Sequence, residues 1–91
     1  MPVTVKIPTQ LRAAAGGQAS ASVHGATVGE VLDALYAEHG ELRERIAGED
    51  GEPRRFVNVY LGGEDIRFLE GLSTPSPDGS EVTILPAVAG G

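Results

Sequence analysis

The chain closes on Pro86, Ala87, Val88, Ala89, Gly90 and Gly91, six residues with no charged side chain and no aromatic ring. Extended at ~3.3 Å per residue, such a run reaches roughly 20 Å beyond the element before it, and nothing on it obstructs entry into a narrow tunnel. Gly90 and Gly91 put no β-carbon beside the terminal carboxylate, so an enzyme's backbone can close around it and a nucleophile can reach its carbon unhindered. The chemistry open to this group is activation of the Gly91 carboxylate followed by acyl transfer. Gly-Gly also stands at Gly16-Gly17 and Gly62-Gly63, and a chain end is ordinarily frayed and inert. What distinguishes this end is an apolar run leaving a strand directly, with glycines as its last two residues.

Side chains supply no rival site. His24 and His39 lack a third ligand at metal spacing and read as surface or capping residues. The internal glycine pairs have no lysine placed as in a phosphate loop and read as turns. Ser20, Ser22, Ser73, Ser76 and Ser80 have no recognisable base partner, and no Gly-x-Ser-x-Gly elbow occurs. The carboxylates are spread over helix and loop, as on a solvated acidic face.

Composition narrows the function classes further. At 91 residues the chain is one domain with a modest core, too small for a deep private active site, so function belongs on the surface or at a terminus. Thirteen acidic against seven basic residues, net charge −6, repel phosphate backbones and anionic lipid, which argues against nucleic-acid and membrane partners. No run approaches the ~20 apolar residues of a membrane span, and Met1-Pro2-Val3-Thr4 opens without a secretory pattern, so a cytoplasmic location is expected. Without cysteine there is no disulfide, thiolate nucleophile or side-chain persulfide.

The elements that must carry the tail are legible from periodicity. Val3 to Ile7 alternates as a half-buried strand. Thr9 to Ala15 leads into Gly16-Gly17, which predicts a hairpin into a second strand at Gln18 to His24. Thr27 with Glu30 forms a capping box ahead of Val28, Val31, Leu32, Leu35 and Tyr36, one apolar helical stripe. Gly40 is placed to end that helix in left-handed geometry, and Glu41 to Ala47 add a further turn or two. The stretch from Gly48 to Pro53 is a loop by composition. Arg55 to Leu61 reads as a third strand, turned by Gly62-Gly63 into a short return over Glu64 to Arg67. Pro77-Asp78-Gly79 turns into the last strand, Glu81 to Leu85, and Pro86 ends its pairing. One principal helix on a mixed sheet of four to five strands is an α+β arrangement, and a parallel pairing of the first and last long strands at the sheet centre makes it a β-grasp (ubiquitin-like) fold. The domain is expected to span 1–85, with 86–91 as a flexible tail.

These residues resemble the ThiS/MoaD family of ubiquitin-like sulfur carrier proteins along essentially the whole chain. The likeness rests on Phe56-Val57-Asn58-Val59-Tyr60 as the central strand, Asp78-Gly79-Ser80-Glu81-Val82 entering the last strand, and the Gly90-Gly91 end. Ile84 to Gly91, Arg55 to Asn58 and Glu64 to Phe68 are similar to the branch that serves cysteine biosynthesis. MoaD-like tails more often carry a second proline where Ala87 stands. The resemblance implies a sulfur carrier rather than an enzyme. An E1-like adenylating enzyme using ATP and Mg converts the Gly91 carboxylate to an acyl-adenylate, and sulfur displaces AMP to leave a thiocarboxylate. A pyridoxal-phosphate cysteine synthase acting on O-phosphoserine then accepts the sulfur, and a zinc metalloprotease releases cysteine. Pro86, Ala87, Val88, Ala89 and Gly90 are implied to bind within these partners, and no cofactor or metal is expected on the chain itself.

Partner docking calls for an apolar sheet face, offered either by Phe56 and Tyr60 or by Val57, Val59 and Leu61, and the sequence leaves both open. Arg54 and Arg55 are weaker candidates for steering an acidic partner. Two other destinations use the same tail: a MoaD-like small subunit of molybdopterin synthase, and a ubiquitin-like protein modifier. Lys6 is the one lysine, so chains of varied linkage are not available to a modifier of this sequence.

Overall fold

The computed structural model describes residues 2–48, 53–54 and 57–86, with Pro86 described by its backbone. Alternating valines make β1 (Val3–Lys6), with Val3 and Val5 turned inward. A seven-residue 3-10 helix, Thr9–Ala15, fills the predicted hairpin connection and closes through Gly16 and Gly17 at φ 67° and 84°. Then β2 (Ser20–Val23) pairs antiparallel with β1, Val3 opposite Val23.

Thr27 starts α1 (Val28–Glu38) as the sequence requires, its hydroxyl accepting the Glu30 N–H at 3.2 Å. Glu30 reaches back to the Ala26 N–H at 3.1 Å, so the box closes one residue ahead of the cap. Val28, Val31, Leu32 and Leu35 are buried against the sheet. Gly25 makes the tight corner before this helix possible, because a β-carbon there would lie 2.6 Å from the Val31 nitrogen.

Gly40 departs from expectation. Chain direction breaks at His39 (φ −133°, ψ 81°), and Gly40 opens α2 (Gly40–Ile46) instead of capping α1 in the left-handed region. Leu42 and Ile46, one turn apart and wholly buried, draw the chain back at once, so burial of this pair overrides glycine's capping preference.

After α2, β3 (Val57–Leu61) and the two-residue β4 (Glu64–Asp65) form a hairpin across Gly62 and Gly63, at φ 58° and 90°. Two successive positive φ values are what a type I′ turn demands, and glycine adopts them without strain. The expected return strand stops at Asp65, because Ile66–Phe68 turns into a 3-10 helix that buries Ile66. A second short 3-10 helix, Gly71–Ser73, leads to Thr74 and Ser76, both buried. Ser76 donates to the Gly25 carbonyl and Val28 N–H donates to Thr74, which stitches this loop to the start of α1.

Last comes β5 (Glu81–Pro86). Strand order is β2-β1-β5-β3-β4. As expected, β1 and β5 pair in parallel, Val5 beside Val82, while β3 and β5 run antiparallel, Val59 beside Ile84. The central strand is therefore β5 and not β3, the described part of the segment that the resemblance made central, which lies one place outward. Both edges of β5 are occupied, and β3 reaches only one of them. Its ladder continues one residue past Leu85, to Pro86 opposite Val57.

Tyr36, on the last turns of α1, is partly buried against the border of the core. Burial, and after it the Asp33 carboxylate, pushes its phenol up to about 12 from 10.0, with Arg43 opposing the shift. A raised folded pKa means stability fully present below pH 10 and lost as pH rises toward 12. Urea denaturation at stepped pH is expected to show this decline, on the order of 2 kcal/mol, and Tyr36→Phe to remove that part of it. An unchanged alkaline slope in the variant would contradict the assignment.

Candidate functional site

The tail takes its position from β5. A strand held by parallel β1 on one side and antiparallel β3 on the other is the best anchored element of the sheet, and Pro86 is its last residue. Whatever follows leaves the fold from the end of the central strand. Ala87, Val88, Ala89, Gly90 and Gly91 themselves lie outside the described residues. Beside the exit, on the β1 flank, Lys6, Ile7, Pro8 and Arg12 form a groove of about 190 Å³ with Thr83 and Leu85. Its cations were not singled out by sequence reasoning, since they stand six residues apart and only the parallel pairing brings them to the root of the tail.

Register decides which sheet face is free. Val57, Val59, Val82 and Ile84 point into the core, and Leu61 packs against its edge. The set Val57, Val59 and Leu61 is thus packing rather than a docking surface. Tyr60 lies on the opposite face, beside Thr83 on one side and Asp65 on the other, and Asn58 lies beside Leu85. Phe56 and Arg55 are outside the described residues. Leu85 is 46% exposed, so this outer face carries apolar surface that the sequence had not assigned to it, and Phe68, on the 3-10 helix after β4, is exposed as well.

Arg67 organises the β3–β4 end of that face. It donates to both carboxylate oxygens of Asp65, at 3.3 and 3.0 Å, and to the Asn58 side-chain oxygen. Those hydrogen bonds hold the Asp65 carboxyl below its ordinary range and raise the guanidinium of Arg67 in turn. Arg54 is engaged elsewhere: its side chain donates to the Glu44 carbonyl and its N–H to the Ile46 carbonyl, tying it to α2.

Other sequence candidates remain dispersed. His24 is exposed beyond β2, and His39 sits at the α1–α2 break. No three His, Cys, Asp or Glu residues converge on a metal position among the described residues. Ser20 and Ser22 lie on the edge strand, while Ser80 caps its own turn through the Pro77 carbonyl. A cleft of about 280 Å³ lined by Val57, Val59, Ile66 and Leu72 is below the usual range for a ligand pocket, and the Asp65 and Arg67 on its wall are engaged with each other. Among the described residues no helix is long and apolar enough to cross a membrane.

Known proteins agree with this geometry. The ThiS family matches residues 5–91. Sulfur carrier protein CysO of Mycobacterium tuberculosis is 50% identical over 93 residues, covering all of both chains. In the crystal structure of the Amycolatopsis orientalis BexX/CysO complex, a chain 47% identical superposes with a TM-score of 0.90, over 98% of this chain and 99% of that one. Small archaeal modifier protein 3 of Haloferax volcanii is 46% identical over 66 residues, 72% of this chain and 71% of that protein. With its strand order, its central last strand and a match reaching Gly91, this β-grasp chain belongs to the ThiS family.

Proposed function

We propose that the chain is a cytoplasmic sulfur carrier protein whose working group is the Gly91 carboxylate. The observation that carries this reading is the end-to-end 50% identity to a sulfur carrier, CysO. It is supported by a fold whose central strand leads straight into the tail. An E1-like enzyme activates the carboxylate: a Gly91 oxygen attacks the α-phosphorus of ATP held with Mg, and pyrophosphate leaves. A sulfide-level donor then attacks the acyl carbon, the bond to AMP breaks, and Gly91 ends as a thiocarboxylate. Ala87, Val88, Ala89 and Gly90 thread the enzyme channel, with Pro86, the last residue of β5, at its mouth. The thiocarboxylate next serves a pyridoxal-phosphate cysteine synthase acting on O-phosphoserine, and a zinc metalloprotease releases the cysteine formed on Gly91. ATP, Mg and pyridoxal phosphate belong to those enzymes, and the chain acts as their cosubstrate.

Intact-mass measurement after incubation with ATP, a sulfur source and a verified adenylating enzyme is expected to show one sulfur replacing one oxygen, confined to the C-terminal peptide. An unchanged mass would refute the proposal. The likeness to a small archaeal modifier protein favours one second reading, conjugation of Gly91 to lysines of other proteins. Isopeptide-linked partners surviving a denaturing pull-down would support it.

A further inference from the structure

We infer that Lys6 and Arg12 form a cationic seat at the root of the tail, which receives carboxylates on the rim of the enzyme that takes Gly91. The inference rests on the carrier reading above and adds to it the surface that docks. Lys6 is the last residue of β1 and lies beside Thr83, three residues before β5 ends. Arg12 comes from the following 3-10 helix, and its Nε donates to the Ile7 carbonyl at 3.1 Å, which holds the half-buried guanidinium against the same groove.

Among the described residues neither cationic side chain meets a carboxylate. The Lys6 ammonium has no hydrogen-bond or ion-pair partner there, and the Arg12 guanidinium has only the Ile7 carbonyl. Arg67, by contrast, is paired with Asp65, and Arg54 is bound to the Glu44 carbonyl. By register the acidic residue on the neighbouring strand, Glu81, lies beside Thr4, one pleat further from the tail. In a chain of net charge −6, two cations that face no described carboxylate put positive charge beside the root of the tail.

Reach identifies the occupant. Five residues follow Pro86, so Gly91 lies at most ~17 Å from it at ~3.3 Å per residue. An enzyme holding Gly91 in its active site must bring its entrance over the end of β5, and hence over the groove next to Leu85. Carboxylates on that rim gain charge-assisted hydrogen bonds from the guanidinium and the ammonium, and a basic rim at this place is repelled by the same two cations. Charges at a rim act mainly on encounter, orientation and salt dependence. The seat therefore sets how well the tail is presented and leaves the acyl chemistry untouched.

ATP–pyrophosphate exchange with a verified E1-like adenylating enzyme at low and high salt tests this. For the wild-type chain KM should rise with salt. Lys6→Glu should raise KM about tenfold at low salt, leave kcat within about twofold, and flatten the salt dependence, while Lys6→Arg restores wild-type values. Lys6 is exposed, so the variant is expected to melt as the parent does; if it does not, Lys6→Gln, with an intermediate KM, decides. A Lys6→Glu KM equal to wild type, or a wild-type KM indifferent to salt, overturns the seat while leaving the carrier reading intact. Absence of any exchange with the wild-type chain overturns the carrier reading and the seat together.

Discussion

Deleting Gly90 and Gly91 is expected to abolish sulfur loading while leaving the melting temperature within about 4 °C of the full-length chain. The shortened protein still ends in a carboxylate, now on Ala89, so its intrinsic chemistry is unchanged. Lost are two residues of reach, ~7 Å, and the freedom from β-carbons beside the reacting carbon. A displacement of even ~1 Å from reacting geometry can cost a factor of about 100, and one of ~7 Å leaves the group outside the active site altogether. Stability should barely respond, since among the described residues every buried apolar side chain lies between Val3 and Ile84. Changes remote from such features usually fall within about 0.5 kcal/mol, which is about 4 °C or less in a domain of this size. Intact mass and thermal unfolding on the same sample check both halves. Retained loading would locate the reactive group elsewhere, and a collapsed melting curve would make the tail part of the folded unit.

Ile84→Ala should be as damaging to the fold as the tail deletion is to the activity. Ile84 is 1% exposed on the central strand, opposite Val59 and under the helices. Truncating a buried isoleucine costs about 2–5 kcal/mol, against a total of about 5–14 for a chain of this length, and lowers the melting temperature by roughly 10–25 °C. Leu85→Ala, one residue on, should cost less than about 1 kcal/mol, because Leu85 faces the outer side and is 46% exposed. Chemical denaturation of the two variants side by side checks the strand's facing. Equal losses would mean that the outer face is covered in solution, as in a self-associated form.

Much of this architecture could be read from local chemistry. Thr27 with Glu30 and the stripe from Val28 to Leu35 announced α1, and Gly62-Gly63 announced its turn, because caps and I′ turns are decided by a few neighbouring residues. Gly40 misled for the converse reason: a residue that favours a cap locally was overruled by burial of Leu42 and Ile46, a gain visible only once the first 3-10 helix, α1 and α2 are packed together. The return after Gly63 was shortened in the same way, by burial of Ile66.

The sequence by itself determined the α+β class, the order of the elements, the absence of cysteine chemistry and the candidacy of the Gly91 carboxylate, since each follows from residue type or short-range spacing. Only the tertiary structure decided that β5 and not β3 is central, that Val57 and Val59 face inward while Tyr60 faces out, and that Lys6 and Arg12 meet beside Leu85. Strand order and facing are set by pairings between segments dozens of residues apart. A period of two says that a strand has two faces, and what packs on one of them chooses between them.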